Sequence, residues 1–196
     1  MSTPDTSVDQ GTYESVVRHW PEEPSEIAEN VVETYGFPQE VTATRLIWHD
    51  CPPWKRTELF RDGVPHHFPK KHTDYLEQVI DYRVPPEKAG ELTRYDGSVM
   101  FERTTGELSA RCDREAMNFL AINLAHDVIT GHRSVKETRE VYAKTAVKMM
   151  MGVTPEATEQ FQFPLPDTDQ RDPDESIVTD TMRSEIQDRL GSDENE

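Results

Sequence analysis

Cysteine, lysine and long apolar runs are all scarce in this chain of 196 residues. Cys51 and Cys112 are its two cysteines, too few for a disulfide framework and in keeping with a reducing compartment. No apolar run approaches the ~18 residues that span a bilayer. The opening residues MSTPDTSVDQ have neither the basic start nor the apolar stretch of a signal peptide. A cytoplasmic location is therefore expected. Lysine numbers 7 against 14 arginines, and 38 acidic residues leave a net charge of -17 at pH 7. So negative a chain argues against nucleic acid and membranes as partners. Apolar residues make up 34%, less than globular proteins usually carry. High acid with little lysine and modest apolar content fits a halophilic protein. Dense carboxylates hold hydrated cations, and the Debye length of about 3 Å at 1 M salt weakens self-repulsion.

The acid is unevenly placed. Residues 1–40 carry a net charge of -8, residues 41–72 carry +3, residues 73–160 carry -4 and residues 161–196 carry -8. This places a disordered leader at 1–11, a single α+β domain at 12–165, and an acidic linker with an amphipathic helix at 166–196. Within the domain, Tyr13, Val16, Val17 and Trp20 share one helical face, and a second helix is expected over 24–35. An antiparallel meander of about five strands should follow: Val41–Trp48, Trp54–Arg61 ended by an Asp62-Gly63 turn, Leu76–Val84, and a hairpin of Ser98–Arg103 with Glu107–Cys112. Asp113 as N-cap and Gly131 as C′ residue bracket a largely buried helix. Ser134-Val135-Lys136-Glu137 is a capping box that opens its antiparallel partner. Asp172-Pro173-Asp174-Glu175 starts the last helix, with Val178, Met182, Ile186 and Leu190 as its apolar stripe.

The segment His49–His72 stands out, with four of the seven histidines, Cys51 and five cations. Imidazole and thiolate suit zinc. The spacing matches no finger, however, and a strand of seven residues at ~3.3 Å each separates His49 and Cys51 from His66, His67 and His72 by about 23 Å. No metal or other cofactor is therefore expected, those five residues being the alternative ligand set. Nucleophilic or acid–base chemistry would have to use His49 and Cys51, or His66 and His67. The reading preferred here is a binding surface. Lys55, Arg56, Arg61, Lys70 and Lys71 alternate with Trp48, Trp54, Phe60 and Phe68, and cations beside aromatic rings grip an anionic ligand or a protein partner. Asn123, His126 and Asp127 form a smaller polar patch on the buried helix.

Two resemblances attach to particular residues. Tyr35-Gly36-Phe37-Pro38-Gln39-Glu40-Val41 through Trp48, then Trp54-Lys55-Arg56-Thr57, His67-Phe68-Pro69 and Met117-Asn118-Phe119-Leu120-Ala121, resemble a family of small cytoplasmic proteins of halophilic archaea and some bacteria. That family has no assigned activity, so the resemblance, over residues 12–165, implies no catalytic residues. The pattern helix, Gly36-x-Pro38-x-x-Val41, strand, Trp48 is also similar to the small outer-membrane lipoprotein domain that assists barrel assembly, although this chain has no lipobox. The expected function is a non-enzymatic binding or adaptor module using residues 48–72. The alternative is a small hydrolase or isomerase built on His49/Cys51 or His66/His67, with or without a metal.

Overall fold

Alternation of apolar and polar residues decides the centre of the molecule. Leu46 and Trp48, then Thr57 and Leu59, then Leu76, Gln78 and Ile80, then Leu108, Ala110 and Cys112 all turn to one side and are buried. The computed structural model, which describes residues 7–192, gathers them into a six-stranded antiparallel sheet. Its strands are β1 (Glu40–Val41), β2 (Arg45–Cys51), β3 (Trp54–His66), β4 (His72–Asp81), β5 (Val99–Glu102) and β6 (Glu107–Cys112), in the order β1-β2-β3-β4-β6-β5. Helices α1 (Gln10–Val17) and α2 (Glu22–Tyr35) precede the sheet, and α3 (Ala89–Tyr95) sits between β4 and β5. Helices α4 (Glu115–Thr130) and α5 (Val135–Met150) form the expected antiparallel pair, and α6 (Asp180–Ser192) ends the described chain. The class is α+β. No helix is long and apolar enough to cross a membrane among the described residues.

Helix α4 covers the sheet. Its mean hydropathy is the highest among the longer helices because eleven of its sixteen residues are buried, Leu120, Ile122, Ala125 and Val128 completely so or nearly. Burying side chains of this size stabilises by about 1.5–3 kcal/mol each. Gly131 closes it, as expected. The predicted N-cap does not hold: Arg114 occupies that position, and the Asp113 carboxylate instead pairs with the Arg114 guanidinium at 2.7 Å. The Ser134–Glu137 capping box of α5 is present in full.

Four further boundaries differ from expectation. Helix α1 begins at Gln10, capped by Asp9, so the leader is shorter than 1–11, and residues 1–6 of it lie outside the described residues. The meander has six strands, the extra one being the two-residue β1. Asp62-Gly63 is no turn, because β3 runs through it to His66. Residues 60–63 of β3 bulge opposite the single residue 75 of β4, between the pairs Leu59↔Leu76 and Val64↔Asp74. Gly63 is needed there, since a Cβ would stand 2.4 Å from the Thr73 side chain and 2.5 Å from the Tyr75 ring. Finally, α6 starts at Asp180 and not at Asp172, whose carboxylate is taken by Arg103 at 2.7 Å and Arg83 at 3.0 Å.

Between α5 and α6 the chain returns over the domain as a strap. Asn123 clamps it: the side-chain amide donates to the carbonyls of Ala157 and Gln160, and its oxygen accepts from the Gln162 N–H at 2.7 Å. Phe163 stacks on His126 with ring centroids 4.1 Å apart. The strap then crosses the β5–β6 turn, where Gly106 has φ +67° and an added Cβ would lie 2.3 Å from the Gln170 carbonyl carbon. Gly106→Ala is therefore expected to lower stability by about 1–2 kcal/mol through its left-handed backbone alone and to lift residues 168–172 from the turn. Thermal melting checks the first effect and trypsin cleavage after Arg171 the second. An unchanged cleavage rate would mean that the strap is not held there.

Candidate functional site

The register shift in β3 has a chemical consequence at the far end of the β3–β4 hairpin. It sets His66 directly across from His72, with Asp74 two residues further along β4. Period-two alternation keeps His72 and Asp74 on the same face, turned into the domain. Asp74 is 1% exposed and the His72 side chain 8%. Asp74 Oδ2 accepts a 2.5 Å hydrogen bond from Ser98 Oγ and lies 3.2 Å from His66 Nδ1. Asp74 Oδ1 lies 3.0 Å from His72 Nε2. On the other side of His66, Nε2 faces the buried Asp96 carboxylate at 3.5 Å. Cys112, at the end of the neighbouring strand β6, places Sγ 3.3 Å from His72 Nε2. One nitrogen, one carboxylate and one sulfur thus converge from three positions on adjacent strands, with a second imidazole beside them.

Electrostatics follow from this geometry. The Asp74 carboxylate holds the His72 pKa above its ordinary value, against desolvation. Burial pushes the Cys112 thiol well up and raises the Asp96 carboxyl. Beside this cluster lies a cavity of about 140 Å³, lined by Pro69, Lys70, His72, Cys112, Arg114, Met117, Met149 and Met150 among others. Met150 and its neighbours Val147, Met151 and Val153 are large apolar side chains exposed by 49–77%.

The sequence expectations are redistributed by these positions. His66 and His72 meet, and His67 is exposed in the loop between them. His49 and Cys51 sit at the other end of β3. His49 pairs with Arg56, ten residues along the strand from His66, which is about 30 Å at ~3.3 Å per residue. His49 Nε2 binds the Glu40 carboxylate at 2.6 Å in solvent. Cys51 is buried and bonded to Thr57 Oγ1, and burial raises its thiol pKa, the opposite of what a nucleophile requires.

The interleaved cations and rings do not form one surface. Trp48 and Trp54 are each 1% exposed and belong to the core. Lys55 and Arg56 point the other way and form a cross-strand ion ladder with Asp81, Glu58 and Glu107 at 2.6–3.1 Å. Arg61 pairs with Asp62. Phe60 lies between the guanidiniums of Arg45 and Arg111. Phe68 packs on Tyr142 with Arg139 3.8 Å over its ring, pinning the hairpin loop to α5. Lys70 and Lys71 remain exposed. The helix patch is also divided: Asn123 clamps the strap, His126 accepts the Tyr82 hydroxyl at 2.8 Å, and Asp127 pairs with Arg133. Burial, then the nearby His132, lowers the pKa of His126.

Three residues of the cluster escaped the sequence reading. Asp74 looked like part of a loop before a strand starting at Leu76, and Ser98 like a strand end. Cys112 stood only as the last residue of a strand. The one available signal was the His72-x-Asp74 spacing, which places both side chains on one face once β4 is allowed to begin at His72. No family model matches the chain, and no curated protein and no solved structure matches it.

Proposed function

We propose that this protein is a non-enzymatic binding module of a halophilic cytoplasm, and that its recognition surface is the closed end of the β3–β4 hairpin together with the start of α4 and the end of α5. The observation that carries this reading is the cavity of about 140 Å³ beside the exposed Met150, Met151 and Val153. Sites for whole small molecules occupy roughly 300–1,000 Å³. A space this small takes one apolar side chain of a larger partner. Methionine walls adapt to such an anchor, and large exposed apolar clusters on acidic proteins mark contact surfaces. Lys70 at the rim favours an acidic group next to that anchor, Arg114 being already paired with Asp113. The occupant best suited is a peptide segment with one large apolar residue flanked by Asp or Glu. Two buried, unpaired cysteines agree with a reducing compartment.

The alternative of a hydrolase or isomerase on His49/Cys51 or His66/His67 finds an arrangement only around His66, where Ser98, His66 and Asp96 stand in the order of a nucleophile, base and carboxylate. Ser98, however, directs its hydroxyl proton to Asp74 at 2.5 Å, while His66 Nδ1 is 3.3 Å away. The base does not hold the proton it would have to remove.

The test is selection from a random peptide library against the full chain in molar KCl. Enriched peptides should share the apolar–acidic pattern, shift the methyl signals of Met149 and Met150, and lose affinity at least about tenfold for Met150→Lys. Failure to enrich, or binding indifferent to Met150→Lys, sinks the reading.

A further inference from the structure

We propose that His66, His72 and Asp74 form a binding site for a single zinc-like divalent ion, with one coordination position left open. The first argument is spacing. With bonds of 2.0–2.3 Å to nitrogen, oxygen and sulfur, neighbouring ligand atoms around a tetrahedral ion stand about 3.3–3.8 Å apart. Here His72 Nε2 is 3.0 Å from Asp74 Oδ1, and His66 Nδ1 is 3.2 Å from Asp74 Oδ2. Ligand atoms of His66, His72 and Asp74 all lie within 4.8 Å of one another. Side-chain adjustments on the ångström scale bring the three around one ion.

The second argument is the tautomer. His72 Nδ1 faces the Lys70 carbonyl oxygen at 2.8 Å, so in the neutral ring that nitrogen donates its proton there. The Nε2 lone pair is left facing Asp74 and Cys112. A ring nitrogen held by a backbone carbonyl while the other is free for a cation is the outer support that metal-ligating histidines usually have.

The third argument is an oxygen without a donor. Asp74 Oδ1 is buried and makes no hydrogen bond of acceptable geometry, although His72 Nε2 is close. A buried carboxylate oxygen left so has lost its water without a donor to replace it, which is costly. A cation between it and the His72 lone pair would remove that cost. One carboxylate and two neutral imidazoles around a divalent ion leave a single positive charge, beside which the buried Asp96 carboxyl stands 3.5 Å from His66 Nε2.

This inference stands apart from the peptide surface, since it concerns the floor behind the cavity. It is tested on the full chain, stripped with a chelator under reducing conditions in molar KCl and titrated with Zn²⁺ and then Co²⁺. The expected result is one equivalent bound, with a Co²⁺ spectrum of nitrogen and oxygen ligands and no thiolate charge-transfer band. His72→Asn and Asp74→Asn should each weaken Zn²⁺ binding by more than about a hundredfold, beyond the 10–100-fold typical of losing an outer partner. His49→Ala and His67→Ala should change nothing. Melting of the metal-free variants shows whether each is folded. Should one fail to fold, the unmodified chain still decides: no stoichiometric uptake overturns the site. Uptake that survives both His72→Asn and Asp74→Asn overturns it as well, and a Co²⁺ complex with a thiolate band overturns this ligand set.

Discussion

Glu115→Ala is expected to destabilise the fold by about 3–5 kcal/mol. Glu115 opens α4, and its Oε1 accepts three hydrogen bonds: from Tyr35 Oη and Trp54 Nε1 at 2.6 Å each, and from Gln78 Nε2 at 2.8 Å. One carboxylate thus fastens α4 to α2, β3 and β4. It also sits in the first turn, where the helix dipole favours negative charge. Trp54 and Gln78 are 1% and 0% exposed, so their donors cannot turn to water when the oxygen is removed. Each stranded donor costs about 1–3 kcal/mol. Tyr35 is less buried and recovers part of its loss from solvent. Against a total stability of about 5–15 kcal/mol, the change removes a large fraction. Glu115→Gln retains an acceptor of the same shape and should cost about 1–2 kcal/mol, since only the charge-assisted part is lost. Denaturant unfolding at one fixed salt concentration checks both. A loss below about 1 kcal/mol for the alanine variant would show that the network is not holding the layers together.

Trp48→Ala should cost about 3–5 kcal/mol, the range for truncating a large buried aromatic residue. The ring is 1% exposed on β2, and its Nε1–H donates to the Gly36 carbonyl at 2.8 Å, tying the turn after α2 to the sheet. Were Trp48 part of an exposed contact surface, the same substitution would alter affinity and leave stability within about 0.5 kcal/mol. One unfolding curve separates these outcomes. The partners of the two side chains, Gly36 and Tyr35, are adjacent in the chain, so the two losses should depart from simple addition.

The two tryptophans show how the sequence was misread. Trp48 and Trp54 lie beside cations in the sequence, which suggests a mixed patch. In a strand, neighbours in sequence point to opposite faces, so Trp48 shares the core face with Leu46 while Arg56 and Glu58 turn outward to the ion ladder; Trp54, the first residue of β3 after Pro52-Pro53, is buried as well. The alternation of Leu46 and Trp48 carried that information. Helices were legible because their ends are chemical: Ser134 with Glu137, and Gly131, act where their types predict. The hairpin around Gly106 was legible for the same reason. Asp62-Gly63 was not, since the same dipeptide serves a turn or a bulge, and the partner strand decides which. That choice moved the start of β4 from Leu76 to His72 and brought His66, His72 and Asp74 together. Cys112 joins them from forty residues beyond His72, a meeting that only the pairing of β4 with β6 creates.

The sheet described above is open, and its two outer strands are the shortest, β1 with two residues and β5 with four. An unpaired strand edge is a template for another chain. A net charge of -17 keeps copies apart at low salt, but if the protein works in molar salt, as proposed, a Debye length of about 3 Å screens that repulsion. Protection against aggregation then falls to geometry. An edge of two or four residues offers too few backbone groups for a second copy to zip onto, even with Met100 of β5 exposed. Lengthening β5 by a few β-branched residues would therefore create a fibre-forming hazard that no increase in surface acid could offset.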